Sequence, residues 1–104
     1  MKRYLVEVSY DALRDLEDIY DYIKNDLGLP KYAEQLLNKI EKSFKSLEYL
    51  PRKYSKIESK MSESLELRRI IVDRYIVIYS IEFETVLVLK ILYGPSNRAN
   101  HIYK

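Results

Sequence analysis

Tyr75-Ile76-Val77-Ile78-Tyr79-Ser80-Ile81 is apolar in both of the registers that alternate along a strand. A strand with one wet face alternates apolar with polar residues, so this run predicts a strand covered on both sides at the centre of a sheet. Its neighbours are of the same type. Leu65 to Val72 precedes it across Asp73-Arg74, and Val86 to Leu92 follows it across Glu82-Phe83-Glu84-Thr85. Links that short join antiparallel strands, so the three form a meander. A charge introduced at Ile78 is expected to disrupt the core.

Upstream the period changes. Tyr4-Leu5-Val6-Glu7-Val8 reads as a strand, and Ser9 follows as a helix N-cap, with Asp11 in the first turn where a carboxylate favours the helix dipole. Ala12, Leu16, Ile19, Tyr20, Ile23 and Leu27 recur at helical spacing, and Gly28 supplies the stop. Pro30 suits the first position of a second helix, whose apolar face runs through Ala33, Leu36, Leu37, Ile40, Phe44, Leu47 and Leu50 until Pro51 ends it. The two helices form an antiparallel hairpin that covers one face of the sheet. Residues 52 to 64 have no sustained period and read as a basic loop. The fold class is therefore α+β: an N-terminal strand, an antiparallel helical hairpin, then a three-stranded antiparallel meander in one sheet. One helical hairpin cannot cover two apolar faces, so an exposed patch is expected, suited to a partner protein or a second copy.

Composition bounds the function. The chain has 104 residues, 47% of them hydrophobic and 33% charged, an ordinary globular composition that predicts a single domain over 1–104. No run approaches the roughly 18 apolar residues that span a bilayer, and Glu7 comes too early for a signal peptide, so a cytoplasmic protein with no membrane partner is expected. With no cysteine and one histidine, disulfides and thiolate zinc sites are excluded; no metal and no cofactor is expected. Net charge is +2, but residues 1–50 carry 8 Lys and Arg against 10 Asp and Glu, whereas residues 51–104 carry 10 against 6. The basic half suits a surface that faces phosphates.

The sequence also resembles a known family. Val8-Ser9 with Ala12, Asp15-Leu16 and Tyr22-Ile23, then Pro30 with Ala33, then Leu47 and Pro51, is similar to the amino-terminal half of RelE/ParE-type toxins. Arg68 through Tyr79 resembles that family's second hairpin, and Ile91-Leu92-Tyr93-Gly94 its last strand and exit glycine. The resemblance implies a growth-inhibiting toxin of a bacterial type II toxin-antitoxin pair, held inactive by an antitoxin protein. It also implies one of two targets. RelE-like members cleave ribosome-bound mRNA without a metal, as endoribonucleases (mRNA interferases), whereas ParE-like members inhibit DNA gyrase without such chemistry.

Metal-free RNA cleavage activates a ribose 2′-hydroxyl, protonates the leaving 5′-oxygen and stabilises charge on the phosphate. By resemblance, the catalytic candidates are Arg69, with Arg98, His101 and Tyr103 in the carboxy-terminal tail, and the RNA-binding candidates are Lys53, Lys56 and Arg74. His101 would serve as general acid or base. Two features complicate the transfer. Arg68 and Arg69 are adjacent on a strand and point to opposite faces, so only one can serve a common site. Gly94 is followed by Pro95 and Ser96, where the ribonuclease branch carries a basic residue. Tyr20, Tyr22, Tyr75 and Tyr79 read as core or interface residues.

Overall fold

The structure, a computed structural model, describes residues 2–58 and 65–95. Strand β1 spans Leu5–Val8, helix α1 Tyr10–Asp21 and helix α2 Pro30–Ser46. Strand β2 is the pair Ser55–Lys56, followed by β3 (Glu66–Val72), β4 (Tyr75–Glu82) and β5 (Thr85–Tyr93). All five strands form one sheet in the order β1-β5-β4-β3-β2, with β1 parallel to β5 and the other pairs antiparallel. The meander stands as expected and β4 is central.

The strand count corrects the sequence reading. Five strands are present, because two residues of the expected basic loop, Ser55 and Lys56, pair with Arg69 and Arg68. No apolar alternation announces this strand. Side-chain bonds from β3 hold it: Arg68 Nη1 donates to the Tyr54 carbonyl at 2.7 Å and to the Arg52 carbonyl at 3.3 Å.

Local signals explain the helices. The Ser9 hydroxyl accepts from Ala12 N–H at 3.0 Å and donates to the Leu89 carbonyl at 3.1 Å, so one side chain caps α1 and ties it to β5. After Asp21 the helix widens into a π-helical turn over Tyr22–Asp26, closed by Leu27 N–H to Tyr22 O at 3.0 Å. The extra residue shifts the helical phase. Ile23 stays buried, but Leu27, expected on the same face, is half exposed. Gly28 then takes the left-handed conformation, φ +68°, that ends the helix. Pro30 opens α2 as expected, and Leu50 is exposed beyond its end.

The core lies between the helices and one face of the sheet. Tyr75, Val77, Tyr79 and Ile81 of β4 point into it, with Ile70 and Val72 of β3, Val86, Val88 and Ile91 of β5, and Ala12, Ile23, Ala33, Leu36, Ile40 and Leu47 from the helical side. Ile76, Ile78 and Ser80 take the alternate positions on β4 and face the other way. This corrects the expectation for Ile78, which is half-buried on the face away from the helices and outside the core cluster.

Beyond β1, the edge of β5 would expose unpaired backbone groups. Asp15 of α1 mends it, accepting from Ile91 N–H at 2.9 Å and from Lys90 Nζ at 3.1 Å. Among the described residues no helix is long and apolar enough to cross a membrane.

Candidate functional site

The strand period separates the two arginines of β3. Arg68 turns to the helical side and enters a closed ionic cluster. Its Nε donates to Glu66 at 2.9 Å, and the same carboxylate receives Arg52 Nε and Nη2 at 3.0 and 2.9 Å. Arg52 also donates to the Tyr4 hydroxyl at 2.8 Å. Burial alone would raise the Glu66 pKa, but the bonds from Arg52 and Arg68 and their positive charge outweigh it and hold the carboxyl below its usual range. The Arg52 pKa is raised, chiefly by its bond to Glu66. Beneath the cluster the buried Tyr79 hydroxyl donates to the Pro51 carbonyl at 2.6 Å, and burial pushes its pKa well above the usual tyrosine value.

Arg69 turns to the open face. It stands opposite Ser55 on one side and Ile78 on the other, and it is exposed. Among the described residues no carboxylate pairs with it. A shallow pocket of about 190 Å³ opens beside it, lined by Lys56, Ile57, Glu58, Arg69, Ile76 and Ile78. Lys56 stands opposite Arg68, so Lys56 and Glu58 border the pocket from the other side of the strand, and Arg69 is the cation that the open face itself presents over an apolar floor. A guanidinium so placed can bind an anionic group.

The other predicted site residues are scattered. Lys53 lies in a 3₁₀ turn over Pro51–Lys53, with its ammonium 5.3 Å from the centre of the Tyr54 ring. Arg74 lies at the far end of β3, in the tight turn to β4, where its neighbour Asp73 adopts φ 54°. Five residues at ~3.3 Å each put it about 16 Å along the strand from Arg69. The Arg74 carbonyl accepts from Gly94 N–H at 2.7 Å, so this turn borders the exit of β5. Asp73 is engaged there by Lys39 Nζ and the Tyr32 hydroxyl, each at 3.1 Å. Arg98, His101 and Tyr103 lie outside the described residues. Of the seven candidates, Lys56 and Arg69 line the same pocket, although Lys56 pairs with Arg68 and so starts from the opposite face of the sheet.

A second, larger concavity of about 490 Å³ lies between the π-helical turn and the ends of β4 and β5, lined by Asp18, Ile19, Tyr22, Leu27, Tyr75 and Tyr93. It is mainly aromatic and aliphatic, and Tyr75 and Tyr93 meet there with ring centres 5.3 Å apart. Among the described residues no group of three or more His, Cys, Asp or Glu side chains is placed to hold a metal ion.

Residues 6–97 match the family described as the ParE toxin of the type II toxin-antitoxin system parDE. The chain belongs to the ParE toxin family. The fold of this ParE-family toxin is also that of solved relatives. It superposes on the chromosomal ParDE toxin-antitoxin system from P. aeruginosa with a TM-score of 0.72 at 17% identity, covering 88% of this chain and 96% of that one. The archaeal RelE–RelB complex from Pyrococcus horikoshii OT3 gives a TM-score of 0.62 at 23% identity, with coverage of 88% and 96%. No curated protein matches the sequence. The RelE/ParE resemblance read from the sequence is therefore correct.

Sequence reasoning missed Arg52 and Glu66. Glu66 and Arg68 carried a signal, because residues two apart on a strand share a face and opposite charges there pair. Arg52 carried none; its role depends on where the 3₁₀ turn folds back.

Proposed function

We propose that this ParE-family toxin arrests growth by metal-free cleavage of ribosome-bound mRNA on the open face of its sheet, and that a cognate antitoxin blocks that face. The observation that carries the reading is the exposed Arg69, which pairs with no carboxylate among the described residues, in a pocket on the open face. Arg69 would bind the scissile phosphate, and Lys56 would add a second positive charge. Arg98, His101 and Tyr103 remain the proposed tail partners of this pair, with His101 as acid or base. Lys53 and Arg74 would contact RNA away from the scissile phosphate. The antitoxin is supported by the two structural relatives, both of them toxin-antitoxin assemblies.

Family membership favours a second reading, inhibition of DNA gyrase by binding alone. One experiment separates the two. Purified toxin is added to ribosomes programmed with a defined message, and in parallel to gyrase with relaxed plasmid. Cleaved message with unimpaired supercoiling supports the ribonuclease; intact message with blocked supercoiling overturns it in favour of gyrase.

A further inference from the structure

The turn between β4 and β5 is built against its own interest. Two residues, Phe83 and Glu84, connect Glu82 to Thr85, and Phe83 sits at φ 56°, a conformation usually left to Gly, Asn or Asp. Its ring is 87% exposed. A bulky aromatic that is both strained and wet contributes nothing to the fold of the chain that carries it, and backbone strain of this kind concentrates where a surface is used. Glu82, on the same face of β4 as Ile76 and Ile78, and Glu84, whose carboxylate lies 4.0 Å from Lys2 Nζ, flank the ring and leave the tip with an excess of negative charge. Such a tip repels phosphates, so it suits neither nucleic acid nor an anionic membrane. Its complement is an apolar socket of one ring's size with cations at the rim.

The chain carries that socket. The pocket is floored by Ile57, Ile76 and Ile78, with Arg69 as the cation that the open face presents; Lys56 and Glu58 also border it. Its volume of about 190 Å³ compares with the roughly 150 Å³ of an aliphatic cavity that takes up one benzene molecule. A chain cannot fill its own socket: Phe83 lies five to seven residues beyond Ile78 and Ile76 on the same strand, roughly 16–23 Å at ~3.3 Å per residue.

We propose that a second copy closes the open face, in a two-fold dimer where each Glu82-Phe83-Glu84 tip enters the Arg69 pocket of the other copy. An axis near Ser80, midway along β4 between tip and pocket, makes the two contacts equivalent, as an isologous interface requires. Ser80 lies on the open side but is already buried, at 8% exposure, so the two copies meet at the tips and pockets rather than at the axis. The same closure covers Leu5 and Ile71, which are exposed, and Leu87 and Leu92, which are half-buried. Glu82 would pair with Arg69 of the other copy. The dimer would also occlude Arg69, so the toxin would be self-limiting at high concentration; this consequence alone rests on the ribonuclease reading.

Sedimentation equilibrium of the purified full-length chain over a wide range of concentration and salt tests the dimer. The expected result is a dimer that dissociates on dilution and more readily in salt. Phe83→Gly should weaken it at least about tenfold, as loss of a buried aromatic anchor does, without lowering the melting temperature measured at a dilution where both proteins are monomeric, because glycine suits the turn. Arg69→Glu and Glu82→Arg should each weaken it, and the two together in one chain should restore it. A wild-type chain that stays monomeric throughout would leave the tip for another protein's socket and overturn the proposal. So would a dimer indifferent to Phe83→Gly, or one that the charge exchange fails to restore. None of these outcomes depends on whether the toxin cleaves RNA or binds gyrase.

Discussion

Arg68 and Arg69 are covalent neighbours of identical chemistry, and the sheet assigns them opposite work. On the helical face, Arg68 closes a cluster with Glu66 and Arg52 and pins the 3₁₀ turn and β2 against β3. On the open face, Arg69 touches no acid among the described residues and stands over an apolar floor. The same contrast holds one strand over, where Val77 is fully buried and Ile78 half-exposed. Helix-side residues are chosen by packing, whereas open-side residues are free to answer to a partner.

The largest test of that contrast is a charge moved across one peptide unit. Val77→Asp puts an unpaired carboxylate at the centre of the core, at a cost of about 4 kcal/mol or more, comparable to the stability of a small domain. No cooperative melt should be observed by circular dichroism. Ile78→Asp should leave a folded protein, since its carboxylate reaches water and stands opposite Arg69 and Lys90. If both variants unfold alike, the two faces are not different in the way described.

Next in size is Arg68→Ala. It removes charge-assisted bonds to Glu66 and to the Tyr54 carbonyl, worth about 2 kcal/mol together, and should lower the melting temperature by of order 10 °C. Because the same bonds hold β2, amides of residues 55–57 should lose hydrogen-exchange protection ahead of the rest of the sheet. Uniform loss of protection would assign the stability of β2 to something other than Arg68.

The Glu66 carboxyl supplies a pH test of smaller size. Its folded-state pKa lies below its unfolded value, so the stabilisation is complete above the unfolded pKa and is lost as pH falls through the folded one. Acid destabilisation below about pH 4.5 should therefore be shallower in Glu66→Gln than in the parent.

These tests also mark where the sequence was legible. The meander, the helical hairpin and the Ser9 and Gly28 helix signals were readable because each rests on local period or local backbone chemistry. Strand β2 and the exposure of Leu27 were not. The first depends on Arg68 reaching carbonyls fourteen and sixteen positions away, and the second on one extra residue in a π-helical turn. For the site, alternation correctly sent Arg68 and Arg69 to opposite faces. It could not say that Lys56 would join Arg69 while Lys53 and Arg74 would not, because that grouping is set by where the chain folds back rather than by spacing. Ile78 was assigned to the core for a related reason: an apolar residue on a doubly apolar strand looks buried from sequence, whichever face the helices choose.

The smallest expected change in stability belongs to Arg69→Ala, and for that reason it is the most informative about function. An exposed side chain with no partner among the described residues should shift stability by no more than about 0.5 kcal/mol. Thermal melts of the purified variant should therefore overlay the parent, while expression without antitoxin should no longer arrest growth. The two readouts must be taken on the same protein. A variant that melts early would make Arg69 a structural residue and its loss of toxicity trivial. A variant that melts normally and still arrests growth would remove the guanidinium from the mechanism and leave toxicity to a binding surface elsewhere on the molecule. Only an unchanged melt with restored growth supports the distinction between the two arginines, one holding the sheet together and the other held out to a target.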